Sequence, residues 1–277
     1  MDIIQVITKE LNVEKWQVEA AVKLIDEGCT IPFISRYRKE ATGSLNDEQL
    51  RTLHERLTYL RNLEEKKNQV LGSIEEQGKL TAELKKQILD AQTLVVVEDL
   101  YRPFRPKRRT RAIIAKEKGL EPLANIIMLQ MTDKPIEEEA QDFVSEDKGV
   151  ESVADAINGA KDIIAEHISD EADYRIYLRK LTMDRGSVAS RAKKPEESSV
   201  YEMYYEFEEP IKKLAGHRVL ALNRGEKEKI LTVKVNAPEE EAMGWLQKQV
   251  ITKENPITKP ILREVVEDSY KRLIGPA

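Results

Sequence analysis

Leu50, Leu53, Leu57 and Leu60 recur at spacings of three and four, which puts all four on one stripe of a helix and is incompatible with the alternation of a strand. The spacing is also that of a coiled-coil seam, but the next two seam positions are Glu64 and Lys67, and the apolar stripe moves to Leu63, Val70, Leu71 and Ile74. A long dimeric coil is therefore not expected. The pattern predicts a helix from Asn46, whose spacing to Gln49 is that of a capping box, to about Gln77. Gln77-Gly78-Lys79 then makes a turn, and Leu80, Leu84 and Ile88 on a returning helix supply the partner face of a hairpin.

Shorter helices precede it. Asp2 can cap a helix carrying Ile3, Ile4, Val6, Ile7 and Leu11, and Asn12 makes a turn into a second helix from about Val13 to Glu27. On that helix Val13, Trp16, Ala20 and Leu24 are expected to form the buried face, with Gly28 as the left-handed cap. A third piece, 31 to 45, starts at Pro32 and closes on Gly43. It carries Arg36, Arg38 and Lys39 with Tyr37 between them. Together the three pieces have a helix-turn-helix shape. The third reads either as a recognition helix or, more commonly for such shapes, as a packing helix with a solvated cationic face.

The strongest functional signal is Tyr101 to Arg111, YRPFRPKRRTR. Six of its eleven residues (Arg102, Arg105, Lys107, Arg108, Arg109, Arg111) are cationic and none is acidic, in a chain of net charge −5. Pro103 and Pro106 bias the backbone towards extended conformations, so the cations are expected to project from an ordered loop. Two readings stand side by side. Arginine forks match phosphate oxygens and release counterions, and Tyr101 and Phe104 could stack on bases. Alternatively, the arginines pair with carboxylates such as Glu98 and Asp99 or dock on an acidic domain.

Thr110 is placed to cap a helix from Arg111 to Lys118, ended by Gly119, and further helices are expected at about 121 to 131 and 135 to 145. Ser152 with Asp155 opens a long helix on which Val153, Ile157, Ala160, Ile164 and His167 share one face, and a second helix runs from near Asp170 to about Asp184. Residues 187 to 200 look strand-like and then turn into Pro195 with paired Glu and Ser, the best linker in the chain. The β-branched run Ile230, Thr232, Val233 and Val235 predicts a strand paired with residues near Ser187 to Ala192. Helices at about 238 to 250 and 258 to 273 follow, and the ending Gly275-Pro276-Ala277 suggests a final helix cut partway. Acidic groups at 137 to 147 and 196 to 209 read first as solvated faces.

Aromatics at 5% suit aliphatic helix packing. The expected fold is mainly α: a multi-helix scaffold starting with a helix-turn-helix-like unit and a long helical hairpin, with one or two short strands in the C-terminal third. The expected divisions are 1–45, 46–186 and 187–277. A single cysteine, Cys29, excludes an intrachain disulfide and any cysteine-cluster zinc site. No apolar run approaches the roughly 20 residues a membrane helix needs, and no basic leader begins the chain, so a cytoplasmic protein with no membrane partner is expected. His54, His167 and His217 lack metal-ligand spacing, His167 reads as a core histidine, and no nucleophile, phosphate-loop or dinucleotide motif is present. No catalytic residue, metal or cofactor is expected.

Three motifs, IPFISRYRKEATGSL at 31 to 45, EDLYRPFRPKRRTRAIIAKEKGLEPLA at 98 to 124 and EEPIKKLAGHRVLALNRGE at 208 to 226, resemble the N-terminal half of the bacterial Tex transcription accessory proteins. The likeness extends along essentially the whole sequence. It implies a helical scaffold in a nucleic-acid-binding protein that acts in transcription and is related to a eukaryotic elongation factor. It also implies further domains past residue 277: an RNase H-like domain, helix-hairpin-helix repeats and an RNA-binding OB-fold. The resulting expectation is a non-enzymatic, monomeric accessory protein whose partners are RNA or DNA and RNA polymerase or other transcription machinery. Phosphate contacts are expected from Arg102, Arg105, Lys107, Arg108, Arg109, Arg111, Arg36, Arg38 and Lys39. The competing reading is a scaffold docking on RNA polymerase or on the family's other domains, and a hydrolase is the third.

Overall fold

Asp2 starts the first helix by accepting the Gln5 amide at 3.0 Å, and Asn12 ends it in the left-handed region at φ 51°. The structure, a computed structural model, describes residues 2–106 and 108–277. Two compact units divide the chain after Phe104.

The first unit is all helical: α1 (Ile3–Leu11), α2 (Lys15–Asp26), α3 (Ile31–Tyr37), α4 (Asp47–Glu76), α5 (Ala82–Asp90) and α6 (Leu94–Tyr101), closed by a 3-10 turn over Arg102–Phe104. Its spine is α4, started by the reciprocal Asn46–Gln49 capping box and turned at Gly78 (φ 65°) into α5, which forms the expected hairpin. Leu50, Leu53, Leu57, Leu60, Leu63, Val70 and Ile74 of α4 are buried, and the other five helices pack around it. The stripe does not break at Lys67 as the sequence suggests. This residue is 1% exposed, and its aliphatic stem stays in the core while its ammonium donates to the Leu89 carbonyl at 2.8 Å.

Two expectations for this unit are corrected. The buried row of α2 is Val18, Ala21 and Val22, whereas Trp16 is 52% exposed. The two rows share the same spacing, and the row through Val18 and Val22 is the one turned to the core. Trp16 instead lies against the backbone at Gly43, where a Cβ would stand 2.6 Å from its ring. The third helix also ends early, at Tyr37, so Arg38 and Lys39 lie in the turn beyond it.

The second unit contains α7 (Arg111–Glu117), α8 (Glu121–Leu129), α9 (Ile136–Gln141), α10 (Val153–Asp170), α11 (Ala172–Arg185), α12 (Gly216–Lys227), α13 (Glu239–Val250) and α14 (Thr258–Asp268), which continues as a π-helical turn over Ser269–Ile274. Thr110 and Ser152 cap α7 and α10 as expected. On α10 the buried residues are Ala156, Ala160, Ile163, Ile164, Ala165, Ile168 and Ser169, while His167 is exposed. With 3.6 residues per turn, Ile168 takes the position the sequence reading gave to His167. Three antiparallel strands, β1 (Ser187–Ala192), β2 (Glu206–Pro210) and β3 (Leu231–Asn236), form a sheet in the order β2-β1-β3. The β1–β3 pairing matches the expectation, with Ser190 opposite Val233. On the other side of β1, Ser190 faces Phe207 of a strand whose sequence, EFEEP, gives little sign of itself. No described helix is long and apolar enough to cross a membrane.

Candidate nucleic-acid interface

The basic stretch begins on fixed ground. Tyr101, at the end of α6, shares a hydrogen bond with Ser73 of α4 (2.9 Å between oxygens), and Gln77 donates its side-chain amide to the Phe104 carbonyl at 3.0 Å. Both rings pack against the core of the first unit. They are therefore not the open stacking surfaces the sequence reading allowed. Arg102, in the 3-10 turn, is half-buried and engaged.

The cations after Phe104 belong to the second unit. Arg105, Arg108, Arg109 and Arg111 are exposed, and Lys107 lies outside the described residues. Arg109 reaches Glu117, one helical stretch further on, at 2.8 Å. Arg111 opens α7 beside a groove of about 220 Å³ shared with Lys118, Asp155, Asn158 and Asp162. Burial raises the Asp162 carboxyl above its ordinary pKa, while Arg272, 3.1 Å away, and Arg111 pull it back down. At the floor of this region α10 packs closely on α7 at Gly159, where a Cβ would stand 3.3 Å from Ala115 Cβ of α7 and 2.3 Å from Leu120 Cδ1 just beyond that helix.

Arg36, Arg38 and Lys39 form a separate exposed group in the first unit, with Glu40 as the one carboxylate in the run. Their turn is tightly held. Gln17 accepts the Glu14 amide at 3.0 Å and donates its own side-chain amide to the carbonyls of Thr42 (3.2 Å) and Gly43 (2.9 Å). Thr42, fully buried, bonds back to the Arg38 carbonyl at 3.2 Å, and the Ser44 amide reaches the Lys39 carbonyl at 2.7 Å. The Arg38 guanidinium lies 5.3 Å over the Phe33 ring, which is itself 5.4 Å from the Tyr37 ring.

Phe33, which the sequence reading does not single out, joins this exposed group through its contacts with Arg38 and Tyr37. Its spacing of four from Tyr37, with Ile34 on the buried side of the same short helix, was the available signal. His54, His167 and His217 are all exposed, so His167 is not a core histidine. Among the described residues, no group of three or more His, Cys, Asp or Glu side chains is placed to hold a metal ion.

Known sequences give this arrangement a context. The YdcI protein of Bacillus subtilis is 48% identical over 276 residues, 99% of this chain and 38% of the relative. The transcriptional accessory protein Tex of Neisseria gonorrhoeae is 41% identical over 235 residues, 84% of this chain and 31% of the relative. The S1 RNA-binding domain-containing protein 1 of Homo sapiens is 30% identical over 291 residues, covering 99% of this chain and 29% of the relative. The chain thus spans between 29% and 38% of the length of these three proteins. The Tex-like protein N-terminal domain matches residues 1–75 and the Tex central region matches residues 131–272, and the chain belongs to the Tex family.

Proposed function

We propose that this chain is a non-catalytic, nucleic-acid-binding part of a transcription accessory protein, and that it contacts the phosphate backbone of RNA or DNA through its basic stretch. The observation that carries the reading is the exposure of Arg105, Arg108, Arg109 and Arg111 close together in sequence on the second unit. Arginine forks in water reach phosphate oxygens without first breaking a core contact. Lys107 belongs to the same proposal by sequence. Arg36, Arg38 and Lys39 form a second phosphate-contacting group, and Arg102 contributes less because it is already engaged. Kinship with a transcriptional accessory protein and with an S1 RNA-binding domain-containing protein supports this reading.

The test is a titration of labelled oligonucleotide between about 50 and 200 mM salt. Replacing Arg105, Arg108 and Arg111 by Gln is expected to weaken binding for all sequences and to flatten the log–log salt slope by roughly 0.7–0.9 per lost contact. A triple variant with the parent's slope and affinity would refute the assignment. A second reading, favoured by the Arg109–Glu117 pair, makes the arginines carboxylate-binding. The chain would then be a scaffold docking on RNA polymerase or on the family's other domains, with little nucleic-acid affinity and co-purification of a large partner.

A further inference from the structure

The aromatic residues of the first unit divide into two kinds. Tyr59, Tyr101 and Phe104 pack on its buried core. Trp16, Phe33 and Tyr37 do not: Trp16, 52% exposed, lies against the backbone at Gly43, whereas Phe33 is 37% and Tyr37 68% exposed although Ile34 between them is fully buried. Because they are four residues apart on α3, the two rings lie on the same side of that helix, 5.4 Å between centroids and tilted by 43°. Nothing in the hydrophobic effect favours leaving two neighbouring rings in water. Arg38 covers one of them as a planar cation, and the turn that carries Arg38 and Lys39 is held by Gln17, Thr42 and Gly43 rather than left loose.

We infer that Phe33, Tyr37 and Arg38 form a stacking platform for unpaired bases, so that the preferred ligand of this surface is single-stranded nucleic acid. The inference rests on the proposed nucleic-acid-binding function and names its substrate class. Bases in a duplex already stack on each other and keep their faces covered, whereas an unpaired base gains a partner on an exposed ring or guanidinium plane. Arg36 and Lys39, exposed and within two residues of Tyr37 in sequence, supply phosphate contacts, which gives the surface charge complementarity to a strand. The alternative of a recognition helix in a duplex groove fits poorly. At seven residues α3 is only about 10 Å long, and two of the three cations lie beyond its end.

The experiment uses the full chain with a fluorescein-labelled 12-nucleotide oligouridylate and, separately, a 12-base-pair RNA duplex, followed by anisotropy at several salt concentrations. Tyr37→Ala is expected to weaken single-strand binding about 5- to 150-fold, the range of one lost stacked base, with less than a two-fold change for the duplex. The salt slope should stay that of the parent, since no phosphate contact is lost, and Tyr37→Trp should restore affinity. Arg38→Gln should lower both affinity and slope. Because Tyr37 is mostly exposed, its removal leaves the core intact, which the circular dichroism spectrum checks. If Tyr37→Ala and Phe33→Ala both bind the single strand as the parent does while the basic-stretch variant is weakened, the stacking platform is refuted and the phosphate-binding function stands. If the parent binds neither probe, both fail.

Discussion

Lys67 donates its ammonium to the Leu89 carbonyl at 2.8 Å and forms an ion pair with the Glu64 carboxylate at 3.0 Å from a position in the middle of the α4 core. A cation there is tolerated because its head finds acceptors at the edge of the hairpin while its stem fills an apolar slot. Replacing it by Met keeps the stem and removes the donor, leaving the Leu89 carbonyl unsatisfied. Lys67→Met is therefore expected to lower stability by about 1–3 kcal/mol, read as a drop in the urea midpoint at constant m-value. An unchanged midpoint would mean that the Leu89 carbonyl finds another donor.

Two glycines in helices are expected to respond in opposite senses to alanine. Gly72, near the C-terminal end of α4, has nothing within 4 Å of where a Cβ would stand, so Gly72→Ala should stabilise by about 0.5–1 kcal/mol through backbone entropy. At Gly159 the Cβ would meet Leu120 Cδ1 at 2.3 Å and Ala115 Cβ at 3.3 Å, in a core where Leu120 is 1% exposed. Overpacking outweighs the gain in helix propensity, giving a net loss of roughly 1–2 kcal/mol. Thermal unfolding of both variants beside the parent checks the signs.

What the sequence displayed of this fold was mostly its local chemistry. The Asn46–Gln49 box, the caps at Asp2, Thr110 and Ser152, and the left-handed glycines 28, 78 and 119 depend on contacts a few residues apart, and each falls where the pattern puts it. Questions of phase were harder. Trp16 and Val18 belong to competing rows of equal spacing on α2, and His167 and Ile168 differ by one residue on α10; the outcome was set by partners distant in sequence. Strand β2 has almost no β-propensity signal, and its pairing to β1 fixes it from outside. For the candidate site, charge was legible and exposure was not. The sequence does not distinguish Tyr101, bonded to Ser73, from Tyr37 in water.

The Arg109–Glu117 pair separates the phosphate-binding reading from the scaffold reading. Both side chains are more than half exposed, so the pair itself contributes little to stability. If Arg109 serves phosphate, Glu117→Gln frees it and removes a repelling charge. Affinity for an oligonucleotide should then rise roughly 1.5- to 5-fold at low salt, the strength of an exposed pair, with a steeper salt slope. An affinity that falls or does not change would favour the scaffold reading.

Asp26 and Asp162 should give the pH dependence of stability contributions of opposite sign. Hydrogen bonds from Arg61, at 2.7 and 2.8 Å, hold the Asp26 carboxyl below its ordinary pKa of 3.8, outweighing a smaller opposing effect of burial. Its contribution is present above the unfolded pKa and disappears as pH falls through the lower folded value. Asp162 is the reverse case: burial is its largest influence and raises its pKa despite Arg272 and Arg111. The native state holds that proton more tightly, so its contribution is full below 3.8 and is lost as pH rises through the higher folded value. Urea midpoints of parent, Asp26→Asn and Asp162→Asn between about pH 3 and 7 resolve the two. The deficit of Asp26→Asn should be largest at neutral pH and vanish in acid, while Asp162→Asn should gain on the parent as pH rises. In Arg111→Gln, carbon-13 titration of the Asp162 carboxyl should show a further upward shift. No shift there would mean that Arg111 points away from the α7–α10 groove in solution.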